Sequence, residues 1–125
     1  MNEIIKEARN GIYSSSKLKK QWTDISAIAC LGKKKFPSRV WTEWEWHIVN
    51  LSRDEDNLVA SRKFICDGIV DAGIILSDSC RIIMTPVLHW HYKDDSDWVK
   101  LTISDRPDFL FNSMIERRDE VMSQI

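Results

Sequence analysis

The chain has 125 residues, 43% hydrophobic and 30% charged, with a formal net charge of −1. That length suits one domain with a moderate core, and no apolar run approaches the roughly 18 residues a membrane helix needs. The charged start Met1-Asn2-Glu3-Ile4-Ile5-Lys6 lacks a signal peptide's apolar block, and three widely spaced cysteines suit a reducing cytoplasmic setting rather than disulfides or zinc.

Charge is unevenly spread: residues 1–39 hold nine Lys or Arg against three acids, and residues 40–125 hold nine against sixteen. A basic half beside an acidic one points weakly to a polyanion partner on one side and a cation site on the other, although a solvated helix face and a lysine-rich loop explain it as well.

In chain order, residues 2–9 are expected to form a short helix ended by Asn10-Gly11. Ser14, Ser15 and Ser16 offer caps for a second helix to about Leu31. Leu18, Trp22, Ile25 and Ile28 or Ala29 recur along it at spacings of three and four, leaving Lys17, Lys19 and Lys20 outward. Gly32-Lys33-Lys34-Lys35 reads as a basic loop closed by Pro37. Arg39 to Asn50 alternates as a strand, with Val40, Thr42, Trp44, Trp46 and Ile48 on the core face and Trp41, Glu43, Glu45, His47 and Val49 opposite.

Asp56 or Asn57 caps the next helix, which runs to about Ala72 on Leu58, Ile65, Ile69 and Val70 and ends at Gly73. Residues 80–92 read as a strand interrupted near Pro86 and Trp98–Ser104 as another, joined by the turn Lys93-Asp94-Asp95-Ser96-Asp97. Pro107 opens a C-terminal helix bearing Phe109, Leu110, Met114, Ile115 and Val121. The order argues a single α+β domain with a small mixed or mostly antiparallel sheet.

The chemistry gathers at Arg53-Asp54-Glu55-Asp56-Asn57. On an extended segment Asp54 and Asp56 point to one side. Asp78, after Gly73-Ile74-Ile75-Leu76, completes a trio if the chain returns there. Crowded carboxylates repel unless a cation sits among them, and Mg²⁺ takes hard oxygen ligands while keeping open positions for phosphate oxygens. Lys63, two helical turns after Asp56, can stabilise a leaving oxygen. Metal-activated attack of water on a phosphodiester is the chemistry this set supports. Spacing alone is equally met by aspartates that cap a helix and close a turn.

The motifs Arg53-Asp54-x-Asp56-Asn57-Leu58, Lys63, Asp67-Gly68-Ile69-Val70, Ala72-Gly73-Ile74 and Asp78-Ser79 resemble the RusA-type Holliday junction resolvases of prophages. Upstream, Asn2-Glu3-x-Ile5 and Lys17-x-Lys19-Lys20-x-Trp22 look like the basic first helix of phage members, and the match thins through Lys100–Ile103. The resemblance implies a homodimer that binds branched DNA, above all four-way junctions, and nicks it with Mg²⁺ or Mn²⁺. It makes Asp54, Asp56 and Asp78 the acidic metal-site residues and Lys63 the essential basic one. Lys17, Lys19, Lys20, Lys33, Lys34, Lys35, Arg53 and Arg62 are then the DNA contacts. The sequence departs from the family where Ser77 replaces the first of two closing aspartates, where the short strand before the asparagine-containing start is missing, and beyond Pro107. A DNA-binding protein that has lost catalysis, or an interaction module with a capping loop, remains an alternative. His89-Trp90-His91 carries a weaker zinc spacing, and Trp41 is the tryptophan best placed for a surface role.

Overall fold

The computed structural model describes residues 2–9, 23, 24, 26, 28–51 and 55–124, with backbone alone at 2–9, 55–57, 59 and 60. Its elements are β1 (Asn2–Arg9), β2 (Trp41–Ile48), α1 (Glu55–Asp71), β3 (Leu88–Lys93), β4 (Asp97–Ser104), α2 (Asp108–Glu116) and α3 (Arg118–Met122). The sheet order is β1-β4-β2-β3. β2 and β3 are parallel, and β4 runs antiparallel to both β2 and β1, so the fold is α+β with a mixed sheet.

The parallel pair needs a crossover, and α1 supplies it. Leu58, Ile65, Cys66 and Ile69 of α1 join Val40 just before β2, Trp44, Trp46 and Ile48 of β2, and Val99, Leu101 and Ile103 of β4 in one buried cluster. The helix stops at Gly73, whose φ of +77° is open to a residue without a Cβ. The Gly73 N–H donates to Val70 O and the Ile74 N–H to Ile69 O, closing the last turn in the Schellman manner.

β3 and β4 are not neighbours. Their three-residue link, Asp94–Ser96, straddles the end of β2. The Asp94 N–H donates to Ile48 O, the Val49 N–H donates to Asp97 Oδ1, and Lys93 Nζ donates to Val49 O. These bonds satisfy backbone groups that a strand end would otherwise leave bare.

Two expectations are corrected, for residues 2–9 and for the C-terminal helix, and one alternative, Ile28 or Ala29, is resolved. Residues 2–9 form a strand, not a helix, paired from Asn2↔Ser104 to Arg9↔Asp97. Eight residues make a marginal helix alone, whereas the edge of β4 offers a full ladder, so tertiary pairing overrides local propensity. In the helical residues between Thr23 and Ala29, Ala29 packs on the core while Ile28 is exposed. The C-terminal helix is two helices broken at Arg117, and of its expected stripe only Leu110 is fully buried; Ile115 and Val121 face solvent. The caps at Ser14–Ser16 lie outside the described residues.

Candidate functional site

Lys63 lies at the middle of α1, exposed to solvent, and its ammonium is shared by two carboxylates. Lys63 Nζ donates to Asp67 Oδ1 at 3.0 Å, one helical turn on, and to Asp78 Oδ2 at 2.7 Å, fifteen residues away. The buried pair Ile74 and Ile75 anchors the returning chain and so delivers Asp78 to the helix. Ser77 Oγ accepts from the Ser79 N–H at 3.0 Å, shaping the turn that carries Asp78. An aspartate at 77 would make the same local bond, so serine there preserves the turn.

Lys63 holds the Asp78 carboxyl below the usual carboxylate range, first through its hydrogen bond and then through its charge, with partial burial opposing. Asp78 and then Asp67 raise the Lys63 ammonium above its ordinary value. Both groups are therefore charged at neutral pH. Beneath them, burial pushes the Cys66 thiol up to about 11, which leaves it protonated and unreactive. A cleft of about 440 Å³ opens beside the pair, lined by Thr23, Asp67, Val70, Asp71, Leu76, Ser77 and Asp78.

Of the residues expected at the site, the structure brings Lys63 and Asp78 together. Asp56 falls in the first turn of α1 with its side chain outside the described residues, and Arg53 and Asp54 lie outside them entirely, as do Lys17, Lys19 and Lys20. Position 56 precedes Lys63 by about 10 Å along the helix axis, whereas the lysine reaches the other way, to Asp67. Among the described residues no three His, Cys, Asp or Glu side chains stand together as a metal site. The donor chemistry of Asp54, Asp56 and Asp78 suits Mg²⁺, which takes carboxylate oxygens at about 2.1 Å. Asp67 and Asp71 were not expected at the cleft; the i, i+4 spacing of Lys63 and Asp67 was the signal for the first.

The basic loop is tied down on the protein itself. Lys34 Nζ sits 5.0 Å over the Phe36 ring, and Lys35 Nζ lies 3.8 Å from where a Cβ on Gly73 would stand, at the C-terminal end of α1. A cation there complements the helix dipole. Arg62 faces His89, with Arg62 Nη1 3.3 Å from His89 Nε2. Trp46 donates its indole N–H to His89 Nδ1 at 2.9 Å, and His89 lies parallel to Trp44 and Trp46 with ring centroids 6.0 and 6.2 Å apart. That bond commits His89 to the core aromatics.

A second polar cluster, on the opposite face of the sheet, was not foreseen. Arg117 bonds Glu45 and the Tyr92 hydroxyl, approaches Glu43 at 3.8 Å and lies over the Trp90 ring at 4.9 Å. The Trp90 indole N–H donates to Glu43 Oε2 at 3.0 Å. No protein-family model and no curated protein matches this chain.

Proposed function

We propose that the chain is a RusA-like, Mg²⁺-dependent, structure-specific endonuclease that resolves four-way junctions in DNA. The observation that carries this reading is the Lys63–Asp78 pair, two residues distant in sequence that the resemblance assigns to one active site. The cleft beside them is acidic, through Asp67, Asp71 and Asp78. A phosphodiester is repelled from such a cleft unless a cation enters with it. Asp54, Asp56 and Asp78 are the residues to hold Mg²⁺ or Mn²⁺, which when bound polarises phosphoryl oxygens and lowers the pKa of water. Lys63, already charged, stabilises the leaving oxygen.

Lys17, Lys19, Lys20, Lys33, Arg53 and Arg62 bind the backbone in a salt-sensitive way. A homodimer supplies two cuts related by the two-fold symmetry of the junction, in the cytoplasm. The second reading is a junction-binding protein without catalysis. The specific observation favouring it is that Lys63 itself bridges Asp67 and Asp78, supplying by side chain the positive charge a metal would bring.

The test is cleavage of a labelled mobile four-way junction with Mg²⁺ or Mn²⁺, run beside Asp56→Asn and Asp78→Asn. Paired nicks by the wild type, lost in both variants while binding persists, support the enzyme. Tight binding without a nick, in either metal and at low and moderate salt, replaces it with the binding protein.

A further inference from the structure

Arg62 and His89 approach each other as a hydrogen-bonded pair would, yet neither can accept from the other. The Trp46 indole nitrogen only donates, so its 2.9 Å bond makes His89 Nδ1 the acceptor. A neutral imidazole then carries its single hydrogen on Nε2. Arg62 Nη1, which also only donates, stands 3.3 Å from that Nε2. Turning the ring over sets a C–H against the indole N–H and loses the Trp46 bond. Protonating it adds a hydrogen at Nδ1, against the same indole, and burial, then Arg62 and His91, hold the His89 pKa down to about 4. Among the described residues, two donors thus point into one space with no acceptor between them.

The surroundings favour a negatively charged acceptor. Arg62 and His91, the groups whose charge acts on the His89 ring, are both basic. Asp67, on this helix, and Asp78, on the chain that returns to it, are already bonded to Lys63. The Trp46 bond and the parallel tryptophans fix the direction of the Nε2–H, while the residue itself remains exposed at its outer edge. A preoriented N–H beside a guanidinium, open to solvent, matches an oxyanion.

We propose that Arg62 and His89 form a binding site for a phosphate-type oxyanion, one oxygen accepting from Arg62 Nη1–H and from His89 Nε2–H together. Arg62 is the residue before Lys63 in α1, directed to His89 where Lys63 is directed to Asp67 and Asp78. The donor pair stands without the nuclease reading; the assignment of its natural ligand to a DNA backbone phosphate rests on that reading.

The experiment follows the histidine ring nitrogens of ¹⁵N-labelled, metal-free protein by NMR during titration with inorganic phosphate, and separately with a short DNA duplex, against chloride at matched ionic strength. The expected result is a free-state His89 protonated on Nε2, a saturable Nε2 shift with phosphate, and binding weakened about tenfold in Arg62→Gln. His89→Phe, which keeps a stacked ring, loses the phosphate response recorded at Arg62. The Trp46 indole signal reports that each variant is folded. A hydrogen on Nδ1, no saturable shift, an equal shift with chloride, or unchanged affinity in Arg62→Gln overturns the site. A shift with both phosphate and DNA supports a backbone ligand; a shift with phosphate alone supports a small phosphorylated solute and overturns the backbone source. No step requires cleavage, so failure to nick a junction leaves this result standing.

Discussion

The two faces of the sheet are built on opposite principles. On the face that meets α1, β2 and β4 present Trp44, Trp46, Ile48, Val99, Leu101 and Ile103, all buried, against the helix's Leu58, Ile65 and Ile69. On the other face the same two strands present Glu43, Glu45, His47, Trp98 and Lys100, and β3 adds Trp90 and Tyr92. The first is held by area removed from water, the second by a charge network closed from above by Arg117. Area is forgiving of the loss of one contact, because its neighbours remain. A buried charge network is not, because removing one member strands the rest in low dielectric. The candidate site sits on the solvent side of the helix that covers the forgiving face, where changes at the site and changes in stability are separable.

The sharpest way to break this comparison is Arg117→Ala. The Glu43 side chain is only 7% exposed, so the variant leaves an uncompensated carboxylate, and a loss of about 3–5 kcal/mol is expected by urea unfolding. Adding Glu43→Gln and Glu45→Gln to it recovers much of that loss. If Arg117→Ala costs under about 1 kcal/mol, the second face behaves as ordinary surface. On the apolar face, Ile69→Ala, at a position fully buried, is expected to cost about 3 kcal/mol through lost transfer energy and a partly collapsed cavity. Its cost changes little with salt, whereas that of Arg117→Ala includes a charge contribution.

The apolar face was legible in the sequence because period-two alternation from Val40 to Ile48 records one buried side directly. The other face was not, since Glu43, Glu45 and His47 follow the same alternation whether they meet water or an arginine. What covers the two glutamates is Arg117, more than seventy positions along, and it escapes a continuous amphipathic pattern because the helix breaks at that residue. β1 was misread for a related reason: its partner, β4, lies at the far end of the chain. At the candidate site, the meeting of Lys63 with Asp78 was legible from the resemblance of the helix and its closing turn. Asp67's share in the lysine was legible only as a helix spacing, and the donor clash at His89 required the direction of the Trp46 indole. Asp54 lies outside the described residues, so its expected place is carried by sequence alone.

A smaller effect separates the faces by pH. Both His47, on the charged face, and His89, on the apolar one, have pKa values lowered chiefly by burial. A lowered histidine pKa means the unfolded chain binds the proton more readily, so stability is whole above the unfolded value near 6.5 and declines as pH falls below it. For His89 the decline continues to about 4. Its exposed edge lets solvent screen the charge, so the contribution is held to about 1 kcal/mol. In His89→Gln, whose amide oxygen can accept from Trp46, stability measured from pH 7 to 5 should fall less steeply than in the wild type. An unchanged slope would assign the acid sensitivity to His47, where burial lowers the pKa, Asp94 opposes that lowering and Lys100 adds to it.

The smallest stability effect belongs to the pair on which the functional reading depends. The Lys63 side chain is 60% exposed and that of Asp78 34%, so water and salt screen their attraction, and Lys63→Met is expected to shift stability by about 0–1 kcal/mol. Asp78 has its pKa lowered in the fold, so whatever the pair contributes is present above the usual carboxylate range and fades as pH drops through it. Alkaline pH releases the lysine only beyond its own raised value. Junction cleavage should respond quite differently: Lys63→Met is expected to lower it by about 100-fold or more, as befits removal of a charge that acts on the leaving oxygen. Near-neutral stability with lost cleavage places Lys63 in the chemistry. A loss of cleavage accompanied by several kcal/mol of destabilisation would instead make Lys63 a clasp for the Asp78 turn, and the site would then be read through the carboxylates alone.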